Sequence, residues 1–117
     1  MDVSVYLKIG KEINEQTKSV ITKIFESKNL RIETEKINDK NAVGFIIRNK
    51  VPDVDAFVEN IYRTLQQVPN LYLVAPKNCF ERIKHHPRVH CFDSKILEDP
   101  ETGVLEIINF AYHGRPL

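Results

Sequence analysis

The 117-residue sequence predicts a single α+β domain: a four-stranded antiparallel sheet with two helices on one face, extended by a C-terminal helix and a β-hairpin. Three observations lead there. Residues 42–48 (Ala-Val-Gly-Phe-Ile-Ile-Arg) form the most uniformly apolar run of the chain, rich in β-branched and aromatic residues, as suits a central strand with cover on both faces. Two amphipathic stripes at helical spacing lie on either side of that run. Short strand-like segments complete the order strand, helix, strand, strand, helix, strand within 75 residues, which is the split βαβ order of the ferredoxin-like fold. Right-handed crossovers then place both helices on one side, with residues 3–9 and 42–48 as the two middle strands.

Taken in order, Val3, Val5, Leu7 and Ile9 alternate with Ser4, Tyr6 and Lys8, the period of a strand with one buried face. Gly10 breaks it. From Lys11, the residues Ile13, Thr17, Val20, Ile21, Ile24 and Phe25 make one helical stripe that runs to about Lys28, with Asn29 as the stop. Leu30 and Ile32 alternate with Arg31, Glu33 and Glu35 in a strand with a charged outer side, the pattern of a sheet edge. A polar turn over residues 38–41 leads into the central strand. Beyond Pro52, the residues Val54, Phe57, Val58, Ile61, Leu65 and Val68 repeat the helical spacing, with Asp53 or Asp55 as N-cap. Residues 71–75 are a fourth strand, stopped by Pro76.

Residues 76–117 form an extension that packs on the sheet or enlarges it. Asn78 caps a short helix over residues 79–86, with Glu81 three positions on as in a capping box. Residues 89–92 read as a strand. Residues 94–97 and 104–112 read as a hairpin around residues 98–103, whose proline and late glycine are turn formers. Its apolar residues Val104, Ile107, Ile108 and Phe110 are expected to cover the open sheet face, where Val43, Phe45 and Ile47 point outward beside Tyr6 and Tyr72.

Composition narrows the function classes. Hydrophobic residues make up 42% and charged residues 28%, ordinary for a folded globular domain. Net charge is +1, distributed by thirds as 0, +2 and −1. That balance argues against a general polyanion binder, which gains most of its affinity by neutralising phosphates. The start lacks the basic and apolar blocks of a signal peptide, and no apolar run approaches spanning length, so no membrane role and a cytoplasmic location are expected. There Cys79 and Cys91 are expected to remain thiols. No cofactor-binding loop or catalytic elbow is present.

The residues Val5-Tyr6-Leu7-Lys8 resemble the shorter consensus stretch of the RNA recognition motif, and residues 41–48 resemble its longer one. The resemblance implies single-stranded RNA bound by stacking on Tyr6 and Phe45, with Gly44 as the small residue between. Asn41, Ala42, Val43 and Arg48 depart from the consensus at four of eight positions.

Cys79, His85, His86, His90 and Cys91 are zinc-type ligands, but the group has no C-x2-C knuckle, so no metal is expected. A histidine-based, metal-independent nuclease would need His113 together with His86 or His90, with Lys84, Arg88 or Arg115 to stabilise an anion. The final third also segregates charge. Lys77, Arg82, Lys84 and Arg88 form a basic group; Asp93, Glu98, Asp99, Glu101 and Glu106 form an acidic one. Opposed patches of this kind suit a specific protein partner. The expected function is therefore non-catalytic binding of another protein, with a stoichiometric inhibitor or immunity protein acting on a basic toxin or nuclease as one concrete form. The expected contact residues are Glu98, Asp99, Glu101 and Glu106, with Glu33 and Glu35 as a second acidic strip.

Overall fold

Helix punctuation in the sequence sets most of the element boundaries. The computed structural model describes residues 3–35 and 42–113, with β1 (Val3–Ile9), α1 (Glu15–Ser27), β2 (Leu30–Glu33), β3 (Val43–Ile47), α2 (Val54–Thr64), β4 (Asn70–Ala75), β5 (Val89–Asp93) and α3 (Pro100–His113). Helix α1 starts at Asn14, whose side chain accepts a 2.8 Å hydrogen bond from the Thr17 N–H. It ends where Asn29 takes a left-handed conformation, φ 59°, which asparagine adopts more readily than other non-glycine residues. Asp53 caps α2 in the same way, accepting from the Ala56 N–H at 3.1 Å.

The strands form one sheet in the order β2-β1-β3-β4-β5, and all four pairings are parallel. This overturns the antiparallel, ferredoxin-like sheet expected from the element order. The chain does not turn back from β2 to β3 as a hairpin; β1 lies between them. The turn expected over residues 38–41 falls outside the described residues. The physical signature of the parallel sheet lies in β3 and β4, where every position from Gly44 to Ile47 and from Leu71 to Ala75 is buried. Strands enclosed on both faces need near-continuous apolar sequence, and βαβ crossovers supply the enclosure.

The C-terminal hairpin is corrected too. Residues 94–98 form a 3₁₀ turn and α3 follows it. Asp99 precedes Pro100 at the first helical position, and the Gly103 N–H donates to the Asp99 carbonyl at 3.0 Å. Val104, Ile107 and Ile108, at i, i+3 and i+4, form the buried stripe of this helix. The helix expected over residues 79–86 is a short 3₁₀ turn at Lys77–Cys79 followed by further turns.

Direction along the sheet explains the layering. Crossovers β1 to β2 and β3 to β4 run opposite ways, so connections of one hand put α1 and α2 on opposite faces. One core therefore lies between the sheet and α1 with α3, where Phe25 meets Phe45 edge-on at 4.9 Å and Phe45 stacks on Tyr72 at 5.6 Å. The other lies under α2, joining Ile46, Leu71 and Leu73 to Phe57, Ile61 and Ile83. The expectation of both helices on one face fails for this reason. No helix among the described residues is long and apolar enough to cross a membrane.

Candidate functional site: the carboxyl-edge crevice between β1 and β3

In a doubly wound sheet the crossover direction reverses at one point, and the chain parts there beyond the carboxyl ends of two adjacent strands. Here those strands are β1 and β3, paired from Val5↔Val43 to Ile9↔Ile47. The segments leaving them, residues 10–14 and 48–53, wall the crevice.

The two walls are tied together. The Gly10 N–H donates to the Ile47 carbonyl at 2.8 Å, and the Arg48 N–H to the Val74 carbonyl at 2.8 Å. The Arg48 Nε donates to both carboxylate oxygens of Glu12, at 3.1 and 3.0 Å, and the Asn49 N–H donates to Glu12 Oε2 at 3.1 Å. Arg48 Nη2 reaches the Lys50 carbonyl at 3.1 Å, and its guanidinium lies 6.0 Å from the Phe57 ring centroid. A Cβ at Gly10 would press on the Glu12 carboxylate and, at 2.6 Å, on Arg48 Nε, so a larger residue there would displace the clasp. Burial alone would raise the Glu12 pKa. Hydrogen bonds from Arg48 and from the backbone of Glu12 and Asn49, with the Arg48 charge, outweigh it and hold the carboxyl below its ordinary value.

Around this clasp the surface is concave. One depression of about 620 Å³ is lined by Lys11, Lys50, Val51, Pro52, Pro76 and Asn78 together with the clasp residues. A second, of about 230 Å³, lies on the α2 side, where Lys8 and Asn60 face the clasp. Their combined lining carries four cationic side chains, Lys8, Lys11, Arg48 and Lys50, against one carboxylate, Glu12. With Asp53, which lines an adjoining depression beside Arg48, Val51 and Pro52, the crevice holds a net +2 in a chain whose total is +1. Arg48 is spent on Glu12, so the exposed ammonium groups of Lys8, Lys11 and Lys50 supply the field. Both adjoining helix starts are already capped by Asn14 and Asp53, so attraction for an anion rests on these side chains. A further open depression of about 510 Å³ lies where α1 meets β2, but its one cation, Arg31, is committed to Ser4 and Glu33.

The residues singled out from sequence are placed elsewhere. Tyr6 pairs in register with Gly44 and faces the α2 side, whereas Phe45 lies on the α1 and α3 side and is only 1% exposed. They share no surface on which bases could stack; Asn41 lies outside the described residues. His86 sits near Tyr62 of α2, and its Nδ1 accepts from the Arg88 N–H at 3.2 Å. His90 stacks on Tyr72 at 4.5 Å across the opposite face, where burial lowers its pKa. The two imidazoles are separated by the sheet, and the His113 side chain and Arg115 lie outside the described residues. Arg88 Nη1 bonds the Leu65 and Val68 carbonyls at 3.1 and 3.5 Å and so closes the end of α2.

Among the described residues no three His, Cys, Asp or Glu side chains gather as a metal-binding group. Cys79 and Cys91 are free, and burial pushes both thiols up, Cys91 to about 11, which makes them poor nucleophiles.

Glu98, Asp99, Glu101 and Glu106 are all exposed. The first three surround the start of α3, where negative charge complements the helix dipole. Glu33 pairs with Arg31 at 3.2 Å on β2, and Glu35 follows it. Glu33 lies on the edge strand β2, whereas Glu98 lies on the turn after β5 and Asp99, Glu101 and Glu106 lie at and along α3, the helix that packs against α1.

Sequence reading passed over the crevice residues because their meaning depends on strand adjacency. Gly10-Lys11-Glu12 and Arg48-Asn49-Lys50 look like ordinary polar ends of two strands until β1 and β3 are known to be parallel neighbours. Compared with protein-family models, with curated proteins and with solved structures, the chain finds no match in any of the three.

Proposed function

We propose that this chain is a non-catalytic binding domain that takes a small anionic molecule in the crevice between β1 and β3. The observation that carries the reading is the net +2 concentrated at the switch point of a nearly neutral protein. A charged concavity with low-dielectric walls attracts counter-charge, and switch-point crevices are where open α/β sheets bind ligands. Catalysis lacks a vehicle there. The lining of the two depressions contains no histidine, cysteine or serine, and its one carboxylate is bonded to Arg48 and has a lowered pKa, which makes it a weak base at neutral pH.

The crevice, a concave and charged surface, is proposed as the binding site ahead of the exposed acidic residues expected to meet a protein partner. The cytosol, where exposed thiols stay reduced, is the proposed compartment.

The test is thermal unfolding in low-salt buffer with inorganic phosphate, pyrophosphate or sulfate. A ligand that binds only the folded state raises Tm with concentration. The reading predicts such a rise, its loss in the K11A/K50A double variant, and its weakening by added chloride. An unchanged Tm for all three anions up to tens of millimolar would reject it.

A further inference from the structure

Three features of the crevice, beyond its charge, describe what kind of anion it fits. Lys11 and Lys50 follow the ends of two strands that pair side by side, and both line the larger depression beside the clasp. Ammonium groups act as point charges on flexible stems and suit a compact multivalent anion such as phosphate. The depression continues from there onto Val51, Pro52 and Pro76, an apolar floor next to a charged mouth. Asn49 and Asn78 line the same space, and no side-chain hydrogen bond engages their amides among the described residues. Each amide offers two donors and an acceptor, the means by which an edge with mixed donors and acceptors is read. At about 620 Å³ the larger depression lies within the size range of small-molecule sites.

The geometry points to a nucleoside monophosphate as the class of ligand: the phosphate between Lys11 and Lys50, the planar base on Val51, Pro52 and Pro76, and its polar edge toward Asn78. This assignment rests on the anion-binding reading above and adds the body of the ligand to its head. The charge supports it, because the net +2 of the larger depression, from Lys11, Arg48 and Lys50 against Glu12, matches a phosphate dianion and leaves the Glu12–Arg48 clasp intact. Since lysines and not backbone amides hold the phosphate, affinity should fall steeply with salt.

Isothermal titration of the full chain with AMP, GMP, CMP and UMP, and separately with inorganic phosphate and adenosine, tests the assignment. The expected result is one-to-one binding of at least one of the four nucleotides, at least tenfold tighter than either phosphate or adenosine alone. K11A/K50A should weaken that nucleotide at least tenfold and flatten its salt dependence. Asn78→Ala should weaken the nucleotide and leave phosphate unchanged, which separates base recognition from head-group attraction. Both substitutions fall on exposed side chains, and unaltered circular dichroism would establish that each variant folds. Phosphate binding with no nucleotide tighter than phosphate overturns the nucleotide assignment and leaves the anion site standing. Silence from phosphate and all four nucleotides overturns both.

Discussion

Replacing Glu12 by glutamine probes the clasp that shapes the crevice. The substitution keeps the shape of the side chain and one acceptor oxygen, but removes the charge that meets Arg48 and the second oxygen that the Arg48 Nε and Asn49 N–H share. Hydrogen bonds to charged groups contribute about 1.5–3 kcal/mol each. The two side chains are 21% and 28% exposed, so water screens the pair in part and the lower end applies. E12Q should therefore cost about 1.5–2 kcal/mol, a fall of about 6–8 °C in Tm for a domain of this size. The pH dependence follows from the sign of the shift. The folded pKa of Glu12 lies below its ordinary value of 4.5, so the folded state binds fewer protons there than the unfolded chain. The stabilisation is complete above about pH 4.5 and is lost as pH falls through the folded pKa. Urea unfolding of both proteins at pH 7 and at pH 3 reads this directly. A difference below about 0.5 kcal/mol at pH 7, or one of the same size at pH 3, would refute the reasoning about the clasp.

Gly10→Ala should push the Glu12 carboxylate and the Arg48 guanidinium aside, costing at most the contribution of the clasp itself, about 1.5–2 kcal/mol, and weakening the phosphate-induced rise in Tm; unchanged stability with a normal anion response would show the contact is not tight. Phe45→Ala removes a ring packed between Phe25 and Tyr72 and should lower stability by about 3–5 kcal/mol in urea titration, whereas a ring free on an open face would cost far less. Burial lowers the His90 pKa below 6.5, so its contribution to stability is complete above pH 6.5 and declines below it, as the unfolded chain takes up the proton first. H90F, which keeps a ring against Tyr72, should flatten the loss of stability between pH 7.5 and pH 5.5; an unaltered slope would assign it to other groups.

Much of the local structure was legible, and the global arrangement was not. The stripes that became α1 and α2, with Asn29 and Asp53 at their ends, follow from spacing and capping alone. Strand direction leaves a fainter trace, because period-two alternation is the same in parallel and antiparallel pairs. The uniformly apolar β3 and β4 carried the signal for a sheet covered on both sides, but the short segment between β2 and β3 invited a hairpin reading. For α3 the spacing of residues 104–112 and not their apolar content decides the element: Asp99-Pro100-Glu101 is a helix start, and Val104, Ile107 and Ile108 fall on one helical face. The crevice had no local signature because Lys11 and Lys50 are brought together by strand order, a property of the whole chain.

Amide chemical-shift mapping during titration with inorganic phosphate tests most directly whether an anion is held where β1 and β3 part. The account predicts saturable shifts confined to Gly10, Lys11, Asn49, Lys50 and Asn78, vanishing in K11A/K50A. Shifts centred on residues 98–106, or no shifts at all at low salt, would contradict it.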